Sequence, residues 1–168
     1  MNRTGKTAYL GLLLAFSLIL SYIETWIPFG FGIPGMKLGL ANLTIVLCLY
    51  LYDWKCALTI NVLRIILSGF LFGNLAAILY SLCGALCSFI CMLAMKRSRG
   101  FSMTGVSIGG GVFHNIGQIL VAMAVVQTYQ VAYYLPALLV SGTITGLLLG
   151  MIASSVYPHI QKTVRNGD

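Results

Sequence analysis

Lys55-Cys-Ala-Leu-Thr-Ile-Asn-Val-Leu-Arg-Ile-Ile-Leu-Ser-Gly-Phe-Leu-Phe72 is an almost uninterrupted apolar run with one arginine, Arg64, at its middle. A hydrocarbon layer about 30 Å thick is crossed by about 20 residues rising 1.5 Å each, so the run reads as a membrane-spanning helix. A charge at mid-depth costs at least about 2.5 kcal/mol unless it faces protein or water. The segment therefore fixes the fold class and also places something polar inside the bundle.

The same pattern recurs along the chain. Apolar runs lie at about 7–27, 38–52, 55–72, 74–95, 104–128 and 132–156. The second is short for a full crossing, so it is expected to lean on its neighbours or to begin inside the loop before it. The 168 residues are 59% hydrophobic and 8% charged, too few ionised side chains to solvate a water-soluble globule. The expectation is one all-α, polytopic domain over residues 1–168 with six transmembrane helices. The first is too long for a cleaved leader, and Glu24-Thr25-Trp26-Ile27-Pro28 stands where a peptidase needs small residues.

Lysine and arginine gather in alternate breaks. Arg3, Lys6, Lys55, Lys96, Arg97, Arg99, Lys162 and Arg165 fall on one side, and the opposite breaks hold only Lys37. Short basic loops stay cytoplasmic, so both termini are expected inside. The net charge of +7 then reflects topology and attraction to anionic membrane lipid, with no nucleic acid needed. Trp26, Trp54, Tyr50, Tyr52, Tyr129, Tyr133, Tyr134 and Tyr157 fit interfacial belts.

Several function classes drop out. No Gly-x-x-x-x-Gly-Lys-Ser/Thr loop is present to cradle ATP, so any ATP coupling must come from partner chains. Cys83, Cys87 and Cys91 share one helix stripe, about 6 Å apart along the axis, which suits packing better than a disulfide or a metal. No cofactor or metal is expected.

Polar residues inside the runs carry the functional reading. Arg64 has Asn61 one turn below it on the same face, and His114 lies at similar depth with Asn115 adjoining and Gln118 one turn on. Glu24 ends the first helix, and Asn42 and Asn74 begin the second and fourth. These polar groups concentrate between the midplane and the outer surface, as in a pocket loaded from outside. Alternatively, Glu24 and Arg64 simply neutralise each other while His114 and the asparagines cross-link helices. Lys37 leaves a cation in surplus, which suggests an anionic ligand unless it snorkels to headgroups.

The external segment Pro28-Phe29-Gly-Phe31-Gly-Ile-Pro34-Gly35-Met-Lys37 combines glycines that permit positive φ with prolines that fix it. It is expected to form a compact lid over the polar group, or to dip into the interface. Gly142-x-x-x-Gly146-x-x-x-Gly150 makes a bare face where another backbone can dock, in this chain or a partner. Gly109-Gly110-Gly111 suggests tight packing beside His114, and Gly11 with Ala15 offers a weaker small-residue face.

Glu24-x-x-x-Pro28, Pro34-Gly35-x-Lys37-Leu-Gly-Leu-Ala-Asn42, Arg64, Gly69-Phe-Leu-Phe-Gly73-Asn74 and Gly110-Gly-Val-Phe-His114-Asn115-Ile-Gly-Gln118 resemble a family filed both as Gx transporter and as heptaprenyl diphosphate synthase component I. That family is similar in size and helix count to the substrate-binding S components of energy-coupling factor transporters. The resemblance implies a bacterial cytoplasmic-membrane protein that binds a small, vitamin-like solute from outside and works with an energy-coupling membrane subunit and two ATPases. It also implies a lid in the first external loop and substrate contacts at Glu24, Lys37, Asn42, Arg64, Asn74, His114, Asn115 and Gln118. S components commonly dock through Ala-x-x-x-Ala in the first helix, where this chain has Gly11-x-x-x-Ala15.

The synthase name can be weighed by chemistry. Diphosphate displacement needs clustered aspartates to hold Mg²⁺, and this chain has only Asp53, Asp168 and Glu24, at different depths or on opposite sides. A non-enzymatic carrier is therefore expected, with Glu24 orienting Arg64. The alternative is a non-catalytic accessory subunit for polyprenyl diphosphate synthesis or polyprenyl lipid binding.

Overall fold

The computed structural model describes residues 3–27 and 37–166, and among these all regular structure is helical. The elements in order are α1 (Arg3–Thr25), α2 (Asn42–Leu51), α3 (Trp54–Phe72), α4 (Leu75–Ser98), α5 (Met103–Val126), a 3₁₀ turn (Tyr129–Tyr134) and α6 (Leu135–Asn166). Five segments are long and apolar enough to cross a membrane: Gly5–Thr25, Trp54–Phe72, Leu75–Ser98, Met103–Val126 and Tyr129–Thr163. The expected lid residues Pro28, Phe29, Phe31, Pro34 and Gly35 lie outside the described residues.

Local chemistry explains the boundaries. The Asn74 side chain caps α4 by accepting from the Ala77 N–H at 2.8 Å, and Ser102 caps α5 by accepting from the Gly105 N–H at 3.1 Å. Arg99 (φ 56°) and Gln127 (φ 51°) end these helices in the left-handed conformation. α6 begins three residues later than the apolar run predicts, because Tyr129–Tyr134 tighten into the 3₁₀ turn. It then runs past Pro158 to Asn166, ten residues beyond the expected 156.

α2 departs most from a membrane span. Its 10 residues reach only about 15 Å, half the hydrocarbon thickness. Residues 42–49 are all buried, so it is a half-helix enclosed by the others. Its end lies with the basic end of the bundle, where Lys6 pairs with Asp53 at 3.4 Å and Lys96 donates to the Leu49 carbonyl. Its start therefore sits near mid-depth.

α5 is the spine. A Cβ placed on Gly111 would meet the Gly142 carbonyl oxygen at 2.3 Å, one on Gly146 the Ile108 Cα at 2.7 Å, and one on Gly150 the Thr104 Cα at 2.7 Å. The glycine face of α6 thus docks on α5 of the same chain. On its other flank, Gly117 meets the Cα of Gly84 on α4 just as closely. These backbone-to-backbone contacts need residues without side chains, the standard basis of helix association in lipid.

The exterior is apolar. Leu12, Leu75, Ile90 and Val140 are all more than 60% exposed. α1 reverses the soluble pattern: Leu13, Ser17, Ser21 and Glu24 face inward while Leu12, Phe16, Ile19 and Ile23 face out.

Candidate functional site

The ends of α1 and α2 and the middles of α3 and α5 bring one polar group together. Glu24 is 5% exposed; its Oε1 accepts from the backbone N–H of Gly39 and from that of Leu40 at 3.3 Å. These lie just before α2, so the carboxylate holds that helix's entry, where the positive end of the dipole favours an anion. Oε2 has no partner.

Arg64 is 3% exposed. It donates to Asn61 Oδ1 at 2.8 Å and to Ser21 Oγ at 3.4 Å, and its Nε is unpaired. The i, i+3 pairing with Asn61 follows the sequence spacing. Glu24 and Arg64 interact only through space, without an ion pair. The expected Glu24-to-Arg64 contact is corrected: Glu24 satisfies itself on backbone N–H groups, and Ser21, one turn earlier on α1, takes the guanidinium.

On α5, Gln118 is fully buried, and its carboxamide brackets the backbone of Lys37, donating to the carbonyl at 3.1 Å and accepting from the N–H at 3.2 Å. Residues 37–40 are thereby clamped between Glu24 of α1 and Gln118 of α5. His114, 2% exposed, lies beside this strap. Gly39 adopts φ +84°, and a Cβ there would meet Asn42 Nδ2 at 3.1 Å and His114 Cδ2 at 3.3 Å. A glycine is needed on both counts. The His114 ring also lies against Gly84 of α4, yet its Nδ1 is unpaired, as are both polar atoms of Asn42's carboxamide.

The remaining candidates lie differently. Asn115 points to α6, donating to the Leu138 carbonyl at 2.7 Å and Ser141 Oγ at 3.4 Å. Asn74 is exposed and its side-chain oxygen is engaged by the α4 cap. Lys37 lies within electrostatic reach of Glu24 and Arg64; burial lowers its pKa from the ordinary 10.5, partly countered by Glu24. Gly11 and Ala15 face outward, with open space around Gly11, whereas Gly142, Gly146 and Gly150 are spent on α5.

Two members of the site were not singled out from the sequence. Ser21 was findable from the inward stripe Ser17-x-x-x-Ser21-x-x-Glu24. Gly39 acts through its backbone, and an unremarkable glycine in a loop gives no such signal. Among the described residues no group of three or more His, Cys, Asp or Glu is placed to hold a metal.

An apolar exterior around a buried polar group that is only partly hydrogen-bonded defines a multi-pass helical membrane protein. Residues 13–156 match the family described as heptaprenyl diphosphate synthase component I, and the chain belongs to that family. No curated protein and no solved structure matches it significantly.

Proposed function

We propose that this chain is a substrate-binding membrane subunit that captures a small solute from outside for uptake, in the manner of an S component. The observation that carries the reading is the unpaired set in the buried group: Asn42, His114 Nδ1, Arg64 Nε and Glu24 Oε2. Buried polar atoms without partners each cost about 1–3 kcal/mol, and a group of four residues from four helices is retained at that cost where a ligand completes it. The half-helix α2 supports the same reading, since interrupted helices ending at mid-depth are how transporters present a dipole to a solute. The basic end, with Lys6, Lys55 and Lys96, faces the cytoplasm and puts the polar group in the outer half. The solute is small and anionic or vitamin-like, 28–37 is the lid, and ATP coupling comes from a membrane subunit with two ATPases. Glu24, Lys37, Asn42, Arg64, His114 and Gln118 form the site; Asn74 and Asn115 stand at its margin. The protein resides in the cytoplasmic membrane of a bacterium and has no catalytic role.

The test is to purify the protein in detergent, release its small molecules and identify them by mass spectrometry. A stoichiometric polar solute is expected. Arg64→Ala should lose that solute, while an unchanged affinity in a folded variant would sink the reading.

The family's description favours a second reading, a non-catalytic accessory subunit. An apolar cavity of about 330 Å³ between α1, α2 and α6, lined by Leu12, Phe16, Leu47 and Ile152 among others, suits an isoprenoid chain. Co-purification of a polyprenyl lipid or a synthase subunit, without a polar solute, is the outcome that selects it.

A further inference from the structure

We infer that the solute is a small heterocyclic acid, carrying one anionic group and a lactam-type edge in which an N–H and a carbonyl stand side by side. The inference rests on the capture reading and names the chemistry of its site.

The edge follows from Asn42. Its carboxamide is 4% exposed, yet neither the donor Nδ2 nor the acceptor Oδ1 has a partner. A carboxamide presents one donor and one acceptor in a plane, and its two-bond complement is another amide-like edge, the geometry by which asparagine grips a nucleobase. Glu24 and Gln118 are already engaged by the 37–40 strap, which leaves Asn42 free to face a ligand. The ring of His114 lies against the same face of Gly39 as Asn42 Nδ2, and its unpaired Nδ1 supplies a third bond close by. Three unpaired atoms on two side chains that pack against Gly39 favour a ring over a flexible chain, because a ring loses little conformational freedom on binding.

The anionic group follows from charge. Glu24 holds the strap that carries Lys37, and Arg64 bonds Ser21 one turn before Glu24 on α1, so one acid stands among two cations. Oε1 of Glu24 is already held by the Gly39 and Leu40 N–H groups. The start of α2 adds the positive end of a helix dipole at the same place. One cation is thus left over, and a single negative charge on the solute balances it.

Three simple probes separate the parts. Orotate has the edge and the charge, uracil the edge alone, and benzoate the charge alone. With the full chain in lipid nanodiscs, calorimetry should show orotate binding at least about tenfold tighter than either fragment, a low floor for a site built on buried hydrogen bonds. Asn42→Leu should bring orotate down to the benzoate level. His114→Phe serves as a second variant should Asn42→Leu fail to fold. Orotate no tighter than benzoate overturns the edge, and no tighter than uracil overturns the charge. If no probe binds, the solute released from the purified protein decides. One with both features supports the inference; one lacking either overturns it while the capture reading stands. No solute at all removes both.

Discussion

A carboxylate inside a membrane must be neutralised or hydrogen-bonded, and Glu24 takes the second course by holding the entry to α2. Glu24→Ala should therefore destabilise the fold by about 2–3 kcal/mol, the range for a lost charge-assisted bond. Glu24→Gln keeps an acceptor and should lose about 1 kcal/mol on the same scale; denaturant titration in detergent would measure both, and equal losses would mean that the charge, not the acceptor, matters. Asn115 makes the opposite case. Its bonds go to Leu138 and Ser141 on α6, so Asn115→Ala should cost about 1 kcal/mol of stability and leave solute affinity unchanged. Lys37 brings a pH dependence. Its pKa is lowered by burial, so its charge disappears at a lower pH than an ordinary lysine's would. Affinity for an anionic solute should fall as pH rises through that lowered value, and Lys37→Gln should flatten the fall. At this scale the sequence showed that Glu24, Asn42, Arg64, His114, Asn115 and Gln118 are buried, because hydrocarbon rejects them, but not that Asn74 is exposed. It could not show that Glu24 prefers a backbone N–H fifteen residues away to Arg64, since backbone donors are the same at every position.

Among the elements, α5 and α6 approach so closely that side chains are excluded between them. Gly142→Leu should cost at least about 1–3 kcal/mol from overpacking, because a Cβ there already meets the Gly111 carbonyl oxygen at 2.7 Å. Gly11→Ala is the control; with nothing within 4 Å it should be neutral or gain up to about 1 kcal/mol in helix propensity. Thermal melting of the two variants side by side checks the pair. The small-residue spacing at 142, 146 and 150 was plain in the sequence, and only the partner helix was open. α2 was legible as a short apolar run but not as a half-helix, because length alone does not separate a buried piece from a trimmed span. Its capping by Lys96 from α4 is a tertiary contact between a residue that reads as a topology signal and a carbonyl that reads as nothing.

For the whole molecule, alternation of basic and neutral breaks predicts that Ser98 and Thr128 lie on opposite sides of the membrane. Single cysteines there, in a background with the five native ones replaced, should differ in labelling by an impermeant thiol reagent on intact cells, with position 128 reactive and 98 protected. Equal labelling would overturn the orientation. The locked contacts of α4, α5 and α6 have one more implication. Sheets of backbone pressed together cannot slide without clashing, so those three behave as a stator. Any rearrangement around the buried polar group then has to come from α1 to α3, which meet the stator through the apolar core that α2 shares with Phe89, Met92, Val106 and Leu149 and through the strap of residues 37–40.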